Sequence, residues 1–176
     1  MLSRLGISFL ELAPVVFAAA SLVFVGLFLL HEIAHKLVAQ HYGLWAEFRL
    51  TLFGALITLL SIISPFKIVS PGAVMIAGNA GKERVGKTAI AGPLVNIVLS
   101  SVSFALTFAP LGPFLLVAVY SAFFNAFIAV FNLIPMGMLD GLKILHWNRL
   151  IWSVAIVLSL ALLIIAFAFY GDILLF

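Results

Sequence analysis

The feature that most constrains this sequence is the length of its stretches without a charged residue. Three stretches lack Asp, Glu, Lys and Arg altogether: Leu12–Leu30, Thr88–Leu139 and Leu150–Gly171. A helix that crosses a bilayer needs about 20 apolar residues, so the first and last stretches each provide one span and the middle stretch provides two. Only 9% of the residues are charged, against about 25% in a soluble domain. We therefore predict an α-helical, multi-pass integral protein of the cell membrane.

The net charge of +3 does not indicate a nucleic-acid-binding protein. The basic residues are scattered between the apolar stretches, as positive-inside topology places them, and form no basic stripe. The sequence has no cysteine, which excludes disulfides, thiolate metal sites and a cysteine nucleophile. The expected surroundings are the lipid bilayer and not a nucleic acid.

Prolines and glycines divide the apolar stretches into segments of helical length. Pro14 suits the first turn of a helix, Pro110 and Pro113 divide the middle stretch, and Gly78–Gly86 reads as an aqueous loop. We predict four transmembrane helices within a single membrane-embedded domain over residues 1–176. The predicted spans cover residues 14–40, 86–109, 113–135 and 148–170.

The segment Leu50–Phe66 is apolar but short, and it has a cation at each end, Arg49 and Lys67. It therefore fits either a full span or a re-entrant, interfacial segment. The next residues, Lys67–Ile76, contain Pro71-Gly72 between short β-branched runs. This pattern predicts a short β-hairpin that turns at Pro71-Gly72.

The first predicted span contains the sequence HEIAH, with His31, Glu32 and His35. Histidines at positions i and i+4 share one helical face, so both rings can reach one metal ion. Glu32 lies about 100° round the helix from His31 and can act on a water at that metal without binding it, as in zinc hydrolases. The alternative is an interfacial ion pair between Glu32 and Lys36, which leaves both histidines unexplained.

A catalytic zinc site with two histidines needs a third protein ligand. Asp140 stands apart from the other candidates because it follows an apolar helix that Pro135 and Gly137 interrupt. Broken backbone at membrane depth is tolerated only where it packs in protein or lines a wet cavity. The alternative for Asp140 is a helix N-cap. The remaining candidates are His41, Glu47, His146 and Asp172.

Two further motifs follow HEIAH along the chain. Asn132 to Gly141 reads NxxPxxxLDG, and Gly92 to Asn96 reads GPxxN. With HEIAH, in this order, they make the sequence resemble the site-2 proteases, which are intramembrane zinc metalloproteases. Here no PDZ or CBS domain accompanies the membrane core.

The resemblance implies one zinc ion per chain, with His31, His35 and Asp140 as its ligands. It implies that Glu32 is the catalytic base, that Asn132 steadies the substrate or its oxyanion, and that Asn96 belongs to the substrate site.

The resemblance also favours a topology, since His35 and Asp140 must lie at one membrane depth. The segment between His35 and Arg84 then crosses the membrane an even number of times. A single crossing by Leu50–Phe66 breaks that count unless the short hairpin also crosses, which favours a re-entrant Leu50–Phe66. Eight cations fall on one side, which the positive-inside rule makes cytosolic, with both termini outside. These cations are Lys36, Arg49, Lys67, Lys82, Arg84, Lys87, Lys143 and Arg149.

The function expected from these features is zinc-dependent intramembrane proteolysis of other transmembrane proteins, near the cytosolic side. One alternative is a membrane metal transporter, but the sequence shows no inverted repeat with a second set of ligands. The other alternative is a catalytically inactive membrane scaffold, against which the intact Glu32 argues. The oligomeric state is left open.

A transmembrane substrate must be unwound before its peptide bond can be reached, and its exposed backbone groups then need partners. A free strand edge supplies such partners by strand addition. Candidate strands are Trp45–Leu50 and the Lys67–Ile76 hairpin, with Val69 and Val74 as substrate-contacting positions. The alternative is that these strands only cover the mouth of the site.

Overall fold

A computed structural model describes residues 26–50, 72–78 and 80–174 of the chain. These residues form five helices, two strands and one 3₁₀ turn. In chain order they are α1 (described over 26–41), β1 (Trp45–Leu50), β2 (Gly72–Ala77), α2 (Lys82–Leu106), the 3₁₀ turn (Gly112–Phe114), α3 (Leu115–Leu133), α4 (Asp140–Trp147) and α5 (Arg149–Leu174).

Three of the described helices are long and apolar enough to cross a membrane: α2, α3 and α5. They confirm the expectation of a mostly helical membrane protein and correspond to the predicted spans 86–109, 113–135 and 148–170. The other predicted span, 14–40, is helical over its described part, residues 26–40, and its earlier part lies outside the described residues.

The membrane helices pack through small side chains. Helix α3 buries Ala118, Ala122, Ala126 and Ala129, and it packs most extensively against α2. Small residues let two helix backbones approach closely, which is how helices associate where lipid supplies no hydrophobic driving force. A larger apolar cluster fills the space between α2, the end of α3, α4 and α5; its buried members are Ala89, Ile90, Ile97, Ala129, Leu133, Ile144 and Ala155.

Helix α2 begins earlier than the sequence indicates. The predicted loop Gly78–Gly86 is wrong over its second half, because residues 82–86 are helical. The reason lies in the first turn, where Glu83 and Lys87 form an i,i+4 ion pair of 2.6 Å. Such a pair supports a helix, and an acidic residue near the N-terminus also interacts favourably with the helix dipole.

The strands β1 and β2 form an antiparallel pair that runs from Trp45 opposite Ala77 to Leu50 opposite Gly72. A two-strand hairpin and the strand Trp45–Leu50 are thus confirmed. The predicted turn at Pro71-Gly72 is wrong, since Gly72 is already paired in the strand.

The pairing follows from packing against α1. Ala46 of β1 and Val74 of β2 belong to one apolar cluster with Ala39 of α1. The predicted re-entrant segment Leu50–Phe66 lies outside the described residues beyond Leu50, and so does Val69.

Candidate metal centre

His31, His35 and Asp140 converge on one point between α1 and the start of α4. Nε2 of His35 lies 3.0 Å from Nε2 of His31 and 2.9 Å from Oδ2 of Asp140, and Nε2 of His31 lies 3.5 Å from the same oxygen. All three residues are buried. They form a group that could hold a metal ion.

The geometry of this group fits zinc. Ligand atoms held about 2.0–2.1 Å from a tetrahedral zinc ion lie roughly 3.3 Å from one another, close to the three distances above. The donor set fits as well, because two imidazole nitrogens and a carboxylate oxygen are the atoms that zinc binds in hydrolases.

Helix α2 fixes the orientation of both imidazole rings. Nδ1 of His35 donates to the main-chain carbonyl of Thr88 at 2.8 Å, and Nδ1 of His31 bonds Oδ1 of Asn96. A hydrogen bond at Nδ1 orients the ring and leaves Nε2 to bind the metal. Contacts from His31 to Asn96 and from His35 to Thr88 also show that α1 and α2 run antiparallel.

Gly92 lies between these two supports on the same face of α2. A Cβ atom at this position would lie against Nε2 of both His31 and His35. The space beside the ligand atoms therefore exists because residue 92 has no side chain. The GPxxN motif thus combines a glycine that leaves room with an asparagine, one turn later, that holds a ligand.

Asp140 reaches the histidines because the chain folds back tightly after α3. A Cβ atom at Gly141 would collide with the main-chain carbonyl of Leu133, so α4 can start this close to the end of α3 only with glycine there. Nε1 of Trp152 in α5 donates to the same carbonyl at 2.8 Å. Both contacts fix the N-terminus of α4, which carries Asp140.

The two oxygens of Asp140 have different partners. Oδ2 faces the histidines, and Oδ1 accepts a bond of 2.9 Å from Nζ of Lys143. The positive charge of Lys143 favours the ionised form of the Asp140 carboxyl, which is the form in which a carboxylate binds a metal.

Glu32 lies beside the metal group without being a member of it. Its Oε2 accepts a bond of 2.9 Å from the main-chain N–H of Val74 in β2. This N–H points away from β1, and backbone groups of an antiparallel strand face the same edge at every second residue. No described strand pairs with this edge of β2, which we call its free edge. The edge carries the outward backbone groups of Gly72, Val74 and Ile76 and runs beside Glu32.

Asn132 and Asn96 lie in different surroundings. Asn132 is half-buried near the end of α3, and its Nδ2 donates to the carbonyl of Ile128 at 3.0 Å, a bond that does not use its side-chain oxygen. Asn96 is fully buried behind His31, and both ends of its amide bond other side chains.

The other sequence candidates for a metal ligand lie outside this group. His41 is exposed, and its ring contacts the ring of Tyr42. Glu47 is exposed on β1 and forms an ion pair of 3.1 Å with Arg49. His146 and Asp172 are exposed near the ends of α4 and α5. None of the four joins the converging atoms of the described residues.

Sequence reasoning missed three supporting residues: Thr88, Asn125 and Lys143. Thr88 acts through its main-chain carbonyl, so its residue type carries no signal. Lys143 lies one helical turn after Asp140, and Asn125 is an amide inside an uncharged apolar stretch. Polar residues inside membrane helices are costly and typically mark function, so Asn125 could have been found this way.

The comparisons with known proteins agree with a zinc site. The chain is similar to "Putative zinc metalloprotease MJ0611" of Methanocaldococcus jannaschii, with 37% identity over 139 residues that cover 76% of this chain and 73% of the relative. No protein-family model matches the chain, and no solved structure matches it. Zinc is accordingly the cofactor of the site. The chain belongs to the family of zinc metalloproteases that this archaeal protein represents.

Proposed function

We propose that this protein is an intramembrane zinc endopeptidase of the site-2 protease type, which cuts transmembrane segments of other membrane proteins near the cytosolic face. His31, His35 and Asp140 are its zinc ligands and Glu32 is its catalytic base. A bound zinc ion would activate water and polarise the scissile carbonyl. The catalytic base and the groups that hold the substrate must come from the chain itself.

The depth of the metal centre on α2 supports the proposal that cleavage takes place within the membrane. The residues that hold both histidines, Thr88 and Asn96, belong to α2, a helix able to span the membrane. Gly92, beside the ligand atoms, lies five residues beyond Lys87, the last charged residue of that helix. At a rise of 1.5 Å per residue this is about 7.5 Å. The site thus lies a short way below the charged end, which the positive-inside rule makes cytosolic.

The role of Glu32 follows from its place on α1. It comes one residue after His31, and its carboxylate is held by a backbone N–H and not by the metal group. A carboxylate beside a metal-activated water can take its proton and deliver it to the leaving amine. A purely structural zinc site has no use for such a residue.

The strand β2 supports the proposal that the substrate is held in extended form. Its free edge passes Glu32, so a substrate strand added to that edge would lie beside the base. Added strands are held through main-chain bonds, which suits substrates of varied sequence. Val69 and Val74 remain proposed substrate-contacting positions, with Asn132 proposed on the opposite side of the substrate.

The test is cleavage of a model transmembrane peptide by the purified chain in liposomes. We expect cleavage inside the apolar segment, loss of cleavage with a zinc chelator, and recovery when zinc is added back. Glu32→Gln is the control, since it should remove cleavage and leave zinc in place. Cleavage by Glu32→Gln at the wild-type rate would refute the proposed mechanism.

A zinc-sensitive dye inside the same liposomes separates this function from metal transport. A protease should cut the peptide without moving zinc across the bilayer. Zinc entry that depends on His31 and His35, with no peptide cleavage, would instead identify a transporter.

A further inference from the structure

Asn125 lies in the middle of α3, fully buried at its contact with α2. It is an amide within a helix able to span the membrane, where a buried polar group is costly unless its hydrogen bonds are made. It makes no hydrogen bond to any of the three metal-binding side chains. Its bonds instead form a chain that ends at His31.

The chain of bonds begins at a main-chain carbonyl. Nδ2 of Asn125 donates to the carbonyl of Ser121 at 2.8 Å. A carbonyl oxygen can only accept, so this bond determines which end of the Asn125 amide faces Ser121. Oδ1 of Asn125 is thereby directed at Asn96 and accepts from its Nδ2 at 2.8 Å.

The same reasoning determines the orientation of Asn96. Because its Nδ2 is bound to Asn125, its Oδ1 faces Nδ1 of His31. Nδ1 of His31 must then be the donor, and Nε2 presents its lone pair to the metal. If the Asn96 amide were turned by 180°, Nδ1 would have to accept, and the ring proton would lie on Nε2.

We propose that Asn125 is a positioning residue for His31, acting through Asn96. Because the Ser121 carbonyl can only accept, it fixes the orientation of the Asn125 amide, and Asn125 in turn fixes that of Asn96. Nδ1 of His31 then carries the ring proton, so that Nε2 of His31 is free to bind zinc. His35 needs no such relay, since Nδ1 of His35 bonds the carbonyl of Thr88 directly. Each ring thus has its own support on α2.

The inference rests on the proposed role of His31 as a zinc ligand and not on the proposed transmembrane substrates. The experiment therefore measures zinc affinity, by competition with a chromophoric chelator, on the purified full chain. Failure of peptide cleavage would leave this measurement unaffected.

The main variant is Asn125→Leu, which has a similar volume and makes no hydrogen bond. Losing a partner behind a metal-binding histidine typically weakens metal binding about 10- to 100-fold, and we expect a loss of this order. The matched control is Ser100→Ala. It also removes a buried bond between α2 and α3, from Oγ of Ser100 to the carbonyl of Ala122 at 2.8 Å, and this bond involves neither Asn96 nor Asn125. It should leave zinc affinity unchanged.

A second substitution separates positioning from packing. Asn96→Asp places a carboxylate behind His31, and a carboxylate accepts in either orientation. In the Asn96→Asp background, Oδ1 of Asn125 would face a carboxylate oxygen, which has no proton to donate. Asn125→Leu should therefore not weaken zinc binding further there, and the double variant should bind zinc more tightly than Asn125→Leu alone. If Asn125→Leu does not yield folded protein, Asn125→Ala replaces it in both backgrounds.

The expected pattern is a zinc defect that disappears in the Asn96→Asp background. Wild-type affinity in the Asn125 variants would overturn the proposal. An equal loss of affinity in both backgrounds would overturn it too, because the effect would then come from packing and not from orientation of the amide.

Discussion

Val74 donates its main-chain N–H to the carboxylate of Glu32 across 2.9 Å. This bond joins the free edge of β2 to the residue that we propose as the catalytic base. A backbone segment lying along that edge would be within reach of both the base and the metal. The edge of β2 and the proposed catalytic base are thus held together by a direct hydrogen bond.

Replacing Val74 with proline should lower turnover of transmembrane substrates while zinc content stays constant. Proline has no N–H, so it removes the donor to Glu32, which should slow cleavage of every substrate. It also distorts the edge of β2 along which we propose that the substrate lies, which should slow cleavage of transmembrane substrates further. Long transmembrane substrates should suffer more than short flexible peptides, which need less backbone support. Cleavage rates on both substrate types, with metal analysis, make the test. Val74→Ala keeps the N–H and separates this effect from loss of the side chain. Equal losses on both substrate types would contradict the proposal that the substrate lies along the edge of β2. Val69→Pro tests the other proposed substrate-contacting position in the same way.

Alanine at position 92 should abolish zinc binding. Its Cβ would lie against Nε2 of both His31 and His35, where it would displace the ligand atoms. Metal analysis of the purified protein measures the outcome. Gly171→Ala is the matched helical control, since a Cβ there meets only ordinary contacts with Phe167. Stoichiometric zinc in Gly92→Ala would show that the metal lies elsewhere.

The proposed ligands and the proposed base should respond differently to substitution. His31→Ala, His35→Ala and Asp140→Asn should lose zinc, because each removes one of the three converging ligand atoms. Glu32→Gln should keep zinc and lose cleavage by about 10²- to 10⁴-fold, the usual contribution of a general base. Metal content and rate, measured on the same preparations, check the distinction. Loss of zinc from Glu32→Gln would make Glu32 a ligand.

Removing the charge of Lys143 should weaken zinc binding moderately. Its Nζ holds Oδ1 of Asp140 at 2.9 Å, so Lys143→Met frees the carboxylate to rotate away from the histidines. Since Lys143 is partly exposed to solvent, we expect a loss no greater than about tenfold, the low end for partners behind metal ligands. Chelator competition measures it. Lys87→Met is the control, because Lys87 pairs with Glu83 and not with the site. An equal loss of zinc affinity in both variants would mean that the loss comes from the change in net charge and not from the bond to Asp140.

Cysteine labelling can test the orientation in the membrane, because the chain has no cysteine of its own. Ala80 precedes α2 and Ala109 follows it, so cysteines placed there should react from opposite sides. We expect an impermeant maleimide to label Ala109→Cys on intact cells, and Ala80→Cys only after the cells are opened. Labelling of Ala80→Cys from outside would reverse the topology.

The sequence predicted those parts of the molecule that depend on local periodicity or on a motif. The spans around α2, α3 and α5 follow from apolar length, and the His31–His35 pair follows from the spacing of one helical turn. The partner of the Val74 strand could not be predicted, because strand pairing depends on packing against α1 through Ala39. The bonds from Thr88 and Asn125 also depend on how α2 meets α1 and α3, which no single segment encodes.

Thr88 and Asn96 stand eight residues apart on α2, and between them they hold two histidines four residues apart on α1. Both contacts belong to the same pair of antiparallel helices, so a slide of one helix by a single residue, about 1.5 Å, would disturb both together. The two contacts therefore fix the position of α1 along α2, and a metal held by both histidines depends on that position.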